Sequence, residues 1–376
     1  DNRKFTPYLL LGLIILGSIF LYKSFMNATA LAPYGSVDFP QFYDLSKDFW
    51  NKKDIFVLYQ KDSTYWFPMW NHLIYILFYP YTLFSIEISK IIWFFSNILF
   101  TTLIIYILKK NYNLSFNKTL LLSIIIITST PFTNTLGNGQ IGLFLLVCIL
   151  FYWYSKKKFK FFFLSVAYIK FSFAPFFLIN SLLKKEIDIF YAVIISVLSV
   201  IFYCFYIKDF NLIQFINPII VIYEVNALSV DNFVGVGNTF HLKTLFVNLR
   251  IEKYYSLGII IFSIFCIYCL FRRKYKSNEL FLIISIASLF VFYHNLYDFV
   301  FLIPIVSYLL SEKKIDVIYL INTFVIFWFF YFVRINQLIL GNYFADNLIN
   351  LVGSILLLIS FMSLLFKKNS IIKLDH

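Results

Sequence analysis

Long apolar segments separated by short polar stretches run through the whole chain. Many contain roughly 18–23 residues with few charges, the length that an α-helix needs to cross about 30 Å of hydrocarbon. The pattern predicts membrane-spanning helices at 5–25, 67–84, 88–108, 119–136, 141–155, 161–183, 186–207, 254–272, 278–292, 299–311, 315–333 and 344–366. We therefore expect an all-α, polytopic helical membrane protein with about twelve transmembrane helices, in a single domain covering residues 1–376.

Composition supports the membrane class. The chain is 61% hydrophobic and 14% charged, with a mean hydropathy of +0.80, and a soluble domain of this length would expose too much apolar surface. The net charge of +13 comes from basic residues that cluster in short loops, as membrane topology requires, so no nucleic-acid partner is expected. The four cysteines lie inside apolar segments and behave as small hydrophobic residues.

The basic clusters predict the orientation, because positively charged loops stay on the cytoplasmic side. The clusters are Lys156-Lys157-Lys158, Lys184-Lys185, Arg272-Arg273-Lys274, Lys313-Lys314 and Lys367-Lys368. They predict cytoplasmic termini, with 27–66 and 208–253 as large outer loops, and we expect the first span to be retained rather than cleaved. The abundance of Phe, Ile, Lys, Asn and Tyr is typical of an AT-rich bacterial coding bias, so we expect the bacterial cytoplasmic (inner) membrane, with membrane lipids around the chain.

The middle of the chain does not fit one alternating path. If 161–183 is a single span, the lysines at 156–158 must lie outside, against the charge rule. If those lysines are inside, 161–183 must turn back on itself, with Lys170 near the bend and Pro175 interrupting the helix. The sequence leaves both alternatives open.

The first outer loop carries two carboxylates, Asp38 and Asp44. After Asp38, aromatic residues alternate with charged ones over 39–53, which is typical of an amphipathic helix lying on a membrane surface. In the functional interpretation, Asp38 is a general base that deprotonates an acceptor hydroxyl, and Asp44 is a second carboxylate that positions it. The alternative is a solvated loop residue or a helix cap.

Polar residues also interrupt the apolar segments themselves. Asn134, Asn138 and Gln140 lie in a glycine-containing stretch that is typical of a turn between spans. Lys170 stands in an otherwise apolar segment. It could contact a phosphate in a cavity, or it could extend its ammonium group to the membrane interface.

Two further polar groups fall in outer loops. Asn238 and His241 belong to the glycine-rich segment 234–241, which lacks the features of a nucleotide-binding P-loop and is either a flexible loop or a backbone surface for a phosphate or sugar. His294 and Asp298 lie four residues apart between two spans and could share a helix face, as functional groups or as satisfied polar groups. No metal-ligand spacing is visible, so we expect neither a metal nor a cofactor.

Taken in order, several short motifs resemble glycosyltransferase family 87, within the GT-C superfamily of multi-span transferases that use lipid-phosphate sugars. The motifs are Val37-Asp38-Phe39 with Tyr43, Tyr65-Trp66-Phe67-Pro68-Met69-Trp70, Pro80, Ile91-Ile92-Trp93-Phe94-Phe95-Ser96-Asn97, Gly137-Asn138-Gly139-Gln140-Ile141-Gly142, Ala167-Tyr168-Ile169-Lys170-Phe171 with Pro175, Gly235-Val236-Gly237-Asn238, and Tyr297-Asp298-Phe299-Val300 before Pro304. The chain departs from the family pattern at Thr239-Phe240, where the family usually has Gln-Ser.

The resemblance implies a GT-C-like fold and a transfer reaction. A polyprenyl-phosphate-linked sugar would enter from the outer leaflet, and Asp38 would be the general base for a lipid or glycan acceptor that attacks with inversion. His294 would assist catalysis on this outer, periplasmic side. The residues expected to bind the substrate or the donor phosphate are Asp44, Gln140, Lys170, Asn238, His241 and Asp298.

Two other functions fit some of the same residues. An intramembrane lysine and the broken segment at 131–140 suit a transporter or flippase for lipid-linked sugars. A family-like chain could also be a non-catalytic subunit of an envelope assembly. The large outer loops, and a carboxylate placed outside the bilayer centre, favour the enzyme. No sequence feature specifies an oligomeric state.

Overall fold

The computed structural model describes residues 5–30, 38–61, 68, 70–155, 160–170, 172–184, 186–208, 212–221, 242–272, 275–291, 294, 296–312, 320–321, 323, 327–328 and 344–366. In these residues all regular secondary structure is helical, and no strand occurs among them. The expected all-α class is therefore confirmed. The number of spans stays a prediction.

Most helices follow the apolar segments, because a helix satisfies its backbone polar groups internally where water is excluded. The first twelve are α1 (Phe5–Thr29), α2 (Phe39–Trp50), α3 (Ile55–Lys61), α4 (Leu73–Leu77), α5 (Tyr79–Thr82), α6 (Ile86–Asn111), α7 (Phe116–Thr128), α8 (Thr130–Asn138), α9 (Gly142–Tyr154), α10 (Lys160–Ala167), α11 (Ala174–Leu183) and α12 (Asp188–Ile207). Later α-helices cover Leu242–Asn248, Tyr255–Arg272, Ser277–Val291, Ile303–Ser311 and Phe344–Phe366, with 3-10 helices at Leu212–Phe215, Glu252–Tyr254 and Leu296–Leu302.

Length and apolar composition identify membrane-spanning candidates within the described residues. Two single helices, α6 and α12, meet both criteria. α7 and α8 meet them together, as one broken span or a re-entrant loop, with a bend of 58° between them. Pro131 lies in the first turn of α8, where its missing amide cannot continue the hydrogen bonding of α7.

One end of the helical bundle, which we name the Tyr154 end, joins segments that are far apart in sequence. The Tyr154 hydroxyl group donates to Asn278 Oδ1 over 2.9 Å. The Lys118 ammonium group donates to the carbonyl of Leu310. α6 ends near this point, since the hydroxyl group of Tyr112, which follows it, is close enough to that of Tyr154 to interact with it electrostatically.

The opposite end, which we name the Asp38 end, lies where α6 begins. Lys90, in the second turn of α6, donates to the carbonyl of Ala30 over 3.0 Å, just after α1 ends. The Tyr206 hydroxyl group donates to the carbonyl of Trp50 over 2.9 Å, which brings the end of α12 to the end of α2. α6 contains 26 residues, so about 39 Å of helix separates the two ends.

The span predicted at 67–84 is wrong. In its place are α4 and α5, which have five and four residues and are too short to cross a bilayer. They pack along α2: the Tyr43 hydroxyl group donates to the carbonyl of Phe84 over 2.8 Å, and the rings of Trp50 and Tyr79 lie 4.3 Å apart. This segment is apolar because part of it is buried against α2.

The segment 161–183 turns back on itself, which resolves the conflict in the middle of the chain. The Lys160 ammonium group lies 2.8 Å from Asp188 Oδ2, so the start of α10 meets the start of α12. A straight helix of this length would instead hold its ends about 30 Å apart. α10 and α11 therefore form a hairpin, with Lys170 between the two helices.

α2 coincides with the stretch expected to form an amphipathic helix. Phe39, Phe42 and Phe49 are fully buried, whereas Lys47 is exposed. The buried face packs within the protein, on the segment that contains α4 and α5. The position of α2 on the membrane surface stays a prediction.

The hairpin predicts a definite labelling pattern. In a variant with the four native cysteines replaced by alanine, single cysteines at positions 110, 158 and 184 should all react with an impermeant maleimide from one side of the membrane. The physical reason is that the hairpin returns to the Tyr154 end. A cysteine replacing Lys52, which is exposed at the Asp38 end, should react from the other side. Labelling of 158 and 184 from opposite sides would contradict the hairpin.

Candidate active site

Asp38 lies between α1 and α2 and faces the turn that follows α8. Its backbone amide donates to the carbonyl of Asn138 over 3.1 Å, and its side chain forms a hydrogen bond with Gln140. Gly139 lies between these two partners with a φ of 70°, a conformation that glycine adopts without steric cost. Although Asp38 directly precedes α2, its side chain makes no capping hydrogen bond. A helix cap therefore does not explain this residue.

Lys170, Asp298 and His294 form a second part of the site. The Lys170 ammonium group donates to Asp298 Oδ1, and His294 Nδ1 shares a hydrogen bond of 3.1 Å with Asp298 Oδ2. The exposed fraction of the Lys170 side chain is 12%, and those of Asp298 and His294 are 3% and 0%. Because its ammonium group is paired in the interior, Lys170 does not extend to the membrane interface.

The two parts are electrostatically connected, and together they form what we name the Asp38 cluster: Asp38, Gln140, Lys170, His294 and Asp298. Burial raises the pKa of Asp38 from 3.8 to about 6. The hydrogen bond from Gln140 and the charge of Lys170 limit the rise, and the charge of Asp298 adds to it. At neutral pH, Asp38 is mostly ionised but remains ready to accept a proton.

The protonation states of His294 and Asp298 follow from their contacts. Burial of the ring lowers the pKa of His294 below its ordinary value, although Asp298 opposes this. Burial alone would raise the pKa of Asp298, but the charge of Lys170 and the hydrogen bond from His294 more than offset it and hold that pKa below its usual value. We therefore assign an ionised Asp298 and a neutral His294 whose Nδ1 carries the proton, since a carboxylate can only accept.

The framework of the site comes from α8 and the 3-10 helix at Leu296–Leu302. The Thr135 hydroxyl group donates a hydrogen bond to the carbonyl of Tyr297 over 3.0 Å. A Cβ atom added to Gly142 would come within 3.1 Å of Val300, so glycine allows α9 to approach this segment closely. These contacts hold Asp298 near the turn that carries Gln140.

The remaining predicted site residues are not shown in this cluster. Asp44 is partly buried on α2, and six residues of helix rotate it by about 240° from Asp38, so the two carboxylates face different directions. Asn238 and His241 lie outside the described residues. The expected roles of all three stay predictions.

Two aromatic residues whose rings lie beside Lys170 were not predicted from the sequence as site residues. The Lys170 Nζ atom lies 5.7 Å from the ring centre of Trp70 and 5.4 Å from that of Tyr297. Aromatic residues make up 22% of the chain, so these two carried no signal of their own. Only the proximity of Trp70 to Pro68, in a family-like motif, could have drawn attention to it.

A further, partly buried carboxylate, Asp54, was also missed, and its contacts indicate a structural role. Its Oδ1 accepts a hydrogen bond from the Tyr203 hydroxyl group (3.1 Å), and its Oδ2 accepts one from Gln214 (2.9 Å). The Phe56 amide also donates to Oδ1 over 2.9 Å. These bonds fix the start of α3 to α12 and to Leu212–Phe215.

Metal binding has no support in the described part of the chain. No group of three or more His, Cys, Asp or Glu side chains in that part could hold a metal ion. The expectation of a reaction without metal or cofactor stays a prediction.

The described helices are largely apolar, and the Asp38 cluster places an ion-paired acid, lysine and histidine among them. A family model for glycosyltransferase family 87 matches residues 73–293, more than half of the chain. The chain therefore belongs to glycosyltransferase family 87, which identifies it as a membrane glycosyltransferase. The match contains Gln140 and Lys170, whereas Asp38, His294 and Asp298 lie outside it. Comparisons with curated proteins and with solved structures gave no match.

Proposed function

We propose that this protein transfers a sugar from a polyprenyl-phosphate donor to a hydroxyl group of a lipid or glycan acceptor, with Asp38 as the general base. The observation that carries the proposal is the Asp38 cluster. Its members come from four segments that are far apart in sequence, and they combine a poised carboxylate, a cation and a histidine. A transferase that splits a sugar–phosphate bond needs this combination, because charge develops on both the acceptor and the leaving group.

The proposed step is a direct displacement. The acceptor oxygen attacks the anomeric carbon as its proton passes to Asp38, and the bond from that carbon to the phosphate oxygen breaks. The electron pair of this bond leaves with polyprenyl phosphate, and the configuration at the anomeric carbon inverts. Lys170 stabilises the departing phosphate, and neutral His294 is held by Asp298 to assist at the same centre.

The outer face of the membrane is the proposed side of the reaction. Each strong basic cluster of the sequence lies at or just after the end of a helix: α9, α11, and the helices that end at Arg272, Ser311 and Phe366. Contacts of Trp153 with Ser277 and Lys184, and of Tyr275 with Leu365, join several of these helix ends at the Tyr154 end. Positively charged loops favour the cytoplasm. This supports a periplasmic Asp38 end in a bacterial inner membrane, where a lipid-linked donor can reach the cluster.

The function is tested with purified protein and a panel of polyprenyl-phosphate sugars labelled in the sugar. Transfer of label from one donor to a lipid or glycan acceptor is the expected result. If every donor stays intact with folded protein and a full panel of acceptors, the proposal is wrong.

The pH dependence of transfer should report on Asp38. A general base must be ionised, so kcat/KM is expected to be constant above neutral pH and to fall tenfold per pH unit well below pH 6. This position follows from the raised pKa of about 6, since an aspartate with an ordinary pKa near 3.8 would lose activity only in stronger acid. A profile that stays flat down to pH 4.5 would contradict a base with the raised pKa of Asp38.

A further inference from the structure

Trp70 lies against the lysine of the Asp38 cluster, together with Tyr297. The distances from Lys170 Nζ to the two ring centres are 5.7 Å and 5.4 Å. A cation within about 6 Å of an aromatic ring centre is attracted to the ring face. The ammonium group therefore has two aromatic contacts in addition to its ion pair with Asp298.

The position of Trp70 is fixed from both sides of the site. Its ring packs edge-to-face on Phe42, with 5.1 Å between the ring centres, and Phe42 lies one helical turn after Asp38. The amide of Asn71 donates to the carbonyl of Ile169 over 3.3 Å, which attaches the neighbour of Trp70 to the hairpin turn next to Lys170. Trp70 thus joins the segment of the base to the segment of the cation.

The indole N–H group does not explain why a tryptophan occupies this position. It is buried and makes no hydrogen bond within the described part of the structure, although a buried indole usually has a partner. The ring, rather than its N–H group, provides the contacts of Trp70. Phenylalanine therefore serves as the conservative replacement, because it keeps an aromatic face, although its ring is smaller, and removes an unpaired donor.

We propose that Trp70 is a positioning residue that, with Tyr297, holds the Lys170 ammonium group where the donor phosphate arrives. Lysine has a flexible four-carbon chain, and here it extends from a turn rather than from a helix. The incoming phosphate and the Asp298 carboxylate compete for the same ammonium group. When the phosphate displaces the carboxylate, the aromatic contacts remain and keep the cation in place.

The test compares Trp70→Leu in two backgrounds, wild type and Lys170→Met/Asp298→Asn, where the ion pair is replaced by two neutral side chains. In wild type, Trp70→Leu should weaken the binding of short-chain polyprenyl phosphate by about 10-fold, the scale of a partly desolvated cation–aromatic contact. In the neutral background it should cause no further weakening, because the cation is absent. Trp70→Phe should bind polyprenyl phosphate like wild type. Trp50→Leu is the control: it removes a tryptophan that packs on Tyr79, and it should also bind polyprenyl phosphate like wild type.

Thermal unfolding of the same variants provides a measurement that needs no substrate. Trp70→Leu should lower the unfolding midpoint more in wild type than in the neutral background. If Trp70→Leu lowers the unfolding midpoint equally in the two backgrounds, the contact between Trp70 and Lys170 is refuted. If Trp70→Leu weakens phosphate binding equally in the two backgrounds, the positioning role is refuted. A Trp70→Phe variant that binds phosphate as weakly as Trp70→Leu would refute it as well. The role in phosphate binding rests on the proposed function. If the neutral background binds polyprenyl phosphate as tightly as wild type, the proposed donor site and this role both fail, and unfolding still decides whether the contact exists.

Discussion

Replacing Asp38 with asparagine should abolish sugar transfer while leaving the protein folded. Loss of a general base typically lowers the rate by about 100- to 10,000-fold. Asparagine keeps the size of the side chain and can still form a hydrogen bond with Gln140. Because burial raises the pKa of Asp38, the charged form is disfavoured by its surroundings, so removal of the charge should not destabilise the protein. Transfer rate and thermal unfolding of the purified variant measure the two effects.

Asp48→Asn is the matched control, since it removes a carboxylate of α2 that pairs with the exposed Lys53 and has no expected role in the site. It should retain most of the activity. Transfer by Asp38→Asn at a rate close to wild type would refute the role of Asp38. Equal losses in the two variants would instead point to a general charge effect in the first outer loop.

Replacing Lys170 with methionine should have the second largest effect. A preorganised group that stabilises charge in the transition state usually contributes about 100- to 1,000-fold to the rate, and methionine cannot bind the departing phosphate. The change also leaves Asp298 as a buried charge without its cation, which typically costs about 3–5 kcal/mol of stability. Transfer rate and the unfolding midpoint should therefore both fall.

The variant Lys170→Met/Asp298→Asn separates these two effects. Neutralising both members of the pair removes the uncompensated charge, so the unfolding midpoint should recover towards wild type. Transfer should stay low, because the phosphate still lacks its cation. Recovery of transfer together with stability would show that Lys170 is needed only to neutralise Asp298.

Hydrophobicity predicted the helices well where a helix is long, and poorly where several short elements share one apolar segment. The span expected at 88–108 lies inside α6, and the expected 344–366 agrees with Phe344–Phe366. At 67–84, burial against α2 produces the same apolar composition as exposure to lipid, so the pattern could not distinguish them. Pro175 was expected to interrupt a helix, but it lies in the first turn of α11, where proline fits well.

The charged residues of the candidate site could be predicted from the sequence more readily than the residues that contact and support them. Lys170 and Asp298 stand out because charge is costly beside apolar segments, and their contact depends on a hairpin that the charge rule could only suggest. Trp70 resembles many other aromatic residues until Lys170 is placed next to it. Asp54 lies in a charged stretch, Asn51-Lys52-Lys53-Asp54, in which a solvated loop was the natural interpretation.

The most direct test of the account is a product analysis in proteoliposomes that contain the labelled donor identified from the panel and an acceptor. Wild-type protein should form glycosylated acceptor and free polyprenyl phosphate in equal amounts, and Asp38→Asn should form neither. If wild-type protein instead moves the intact donor between leaflets, with no polyprenyl phosphate released and no difference between the two proteins, the account of a transferase with Asp38 as its base is contradicted.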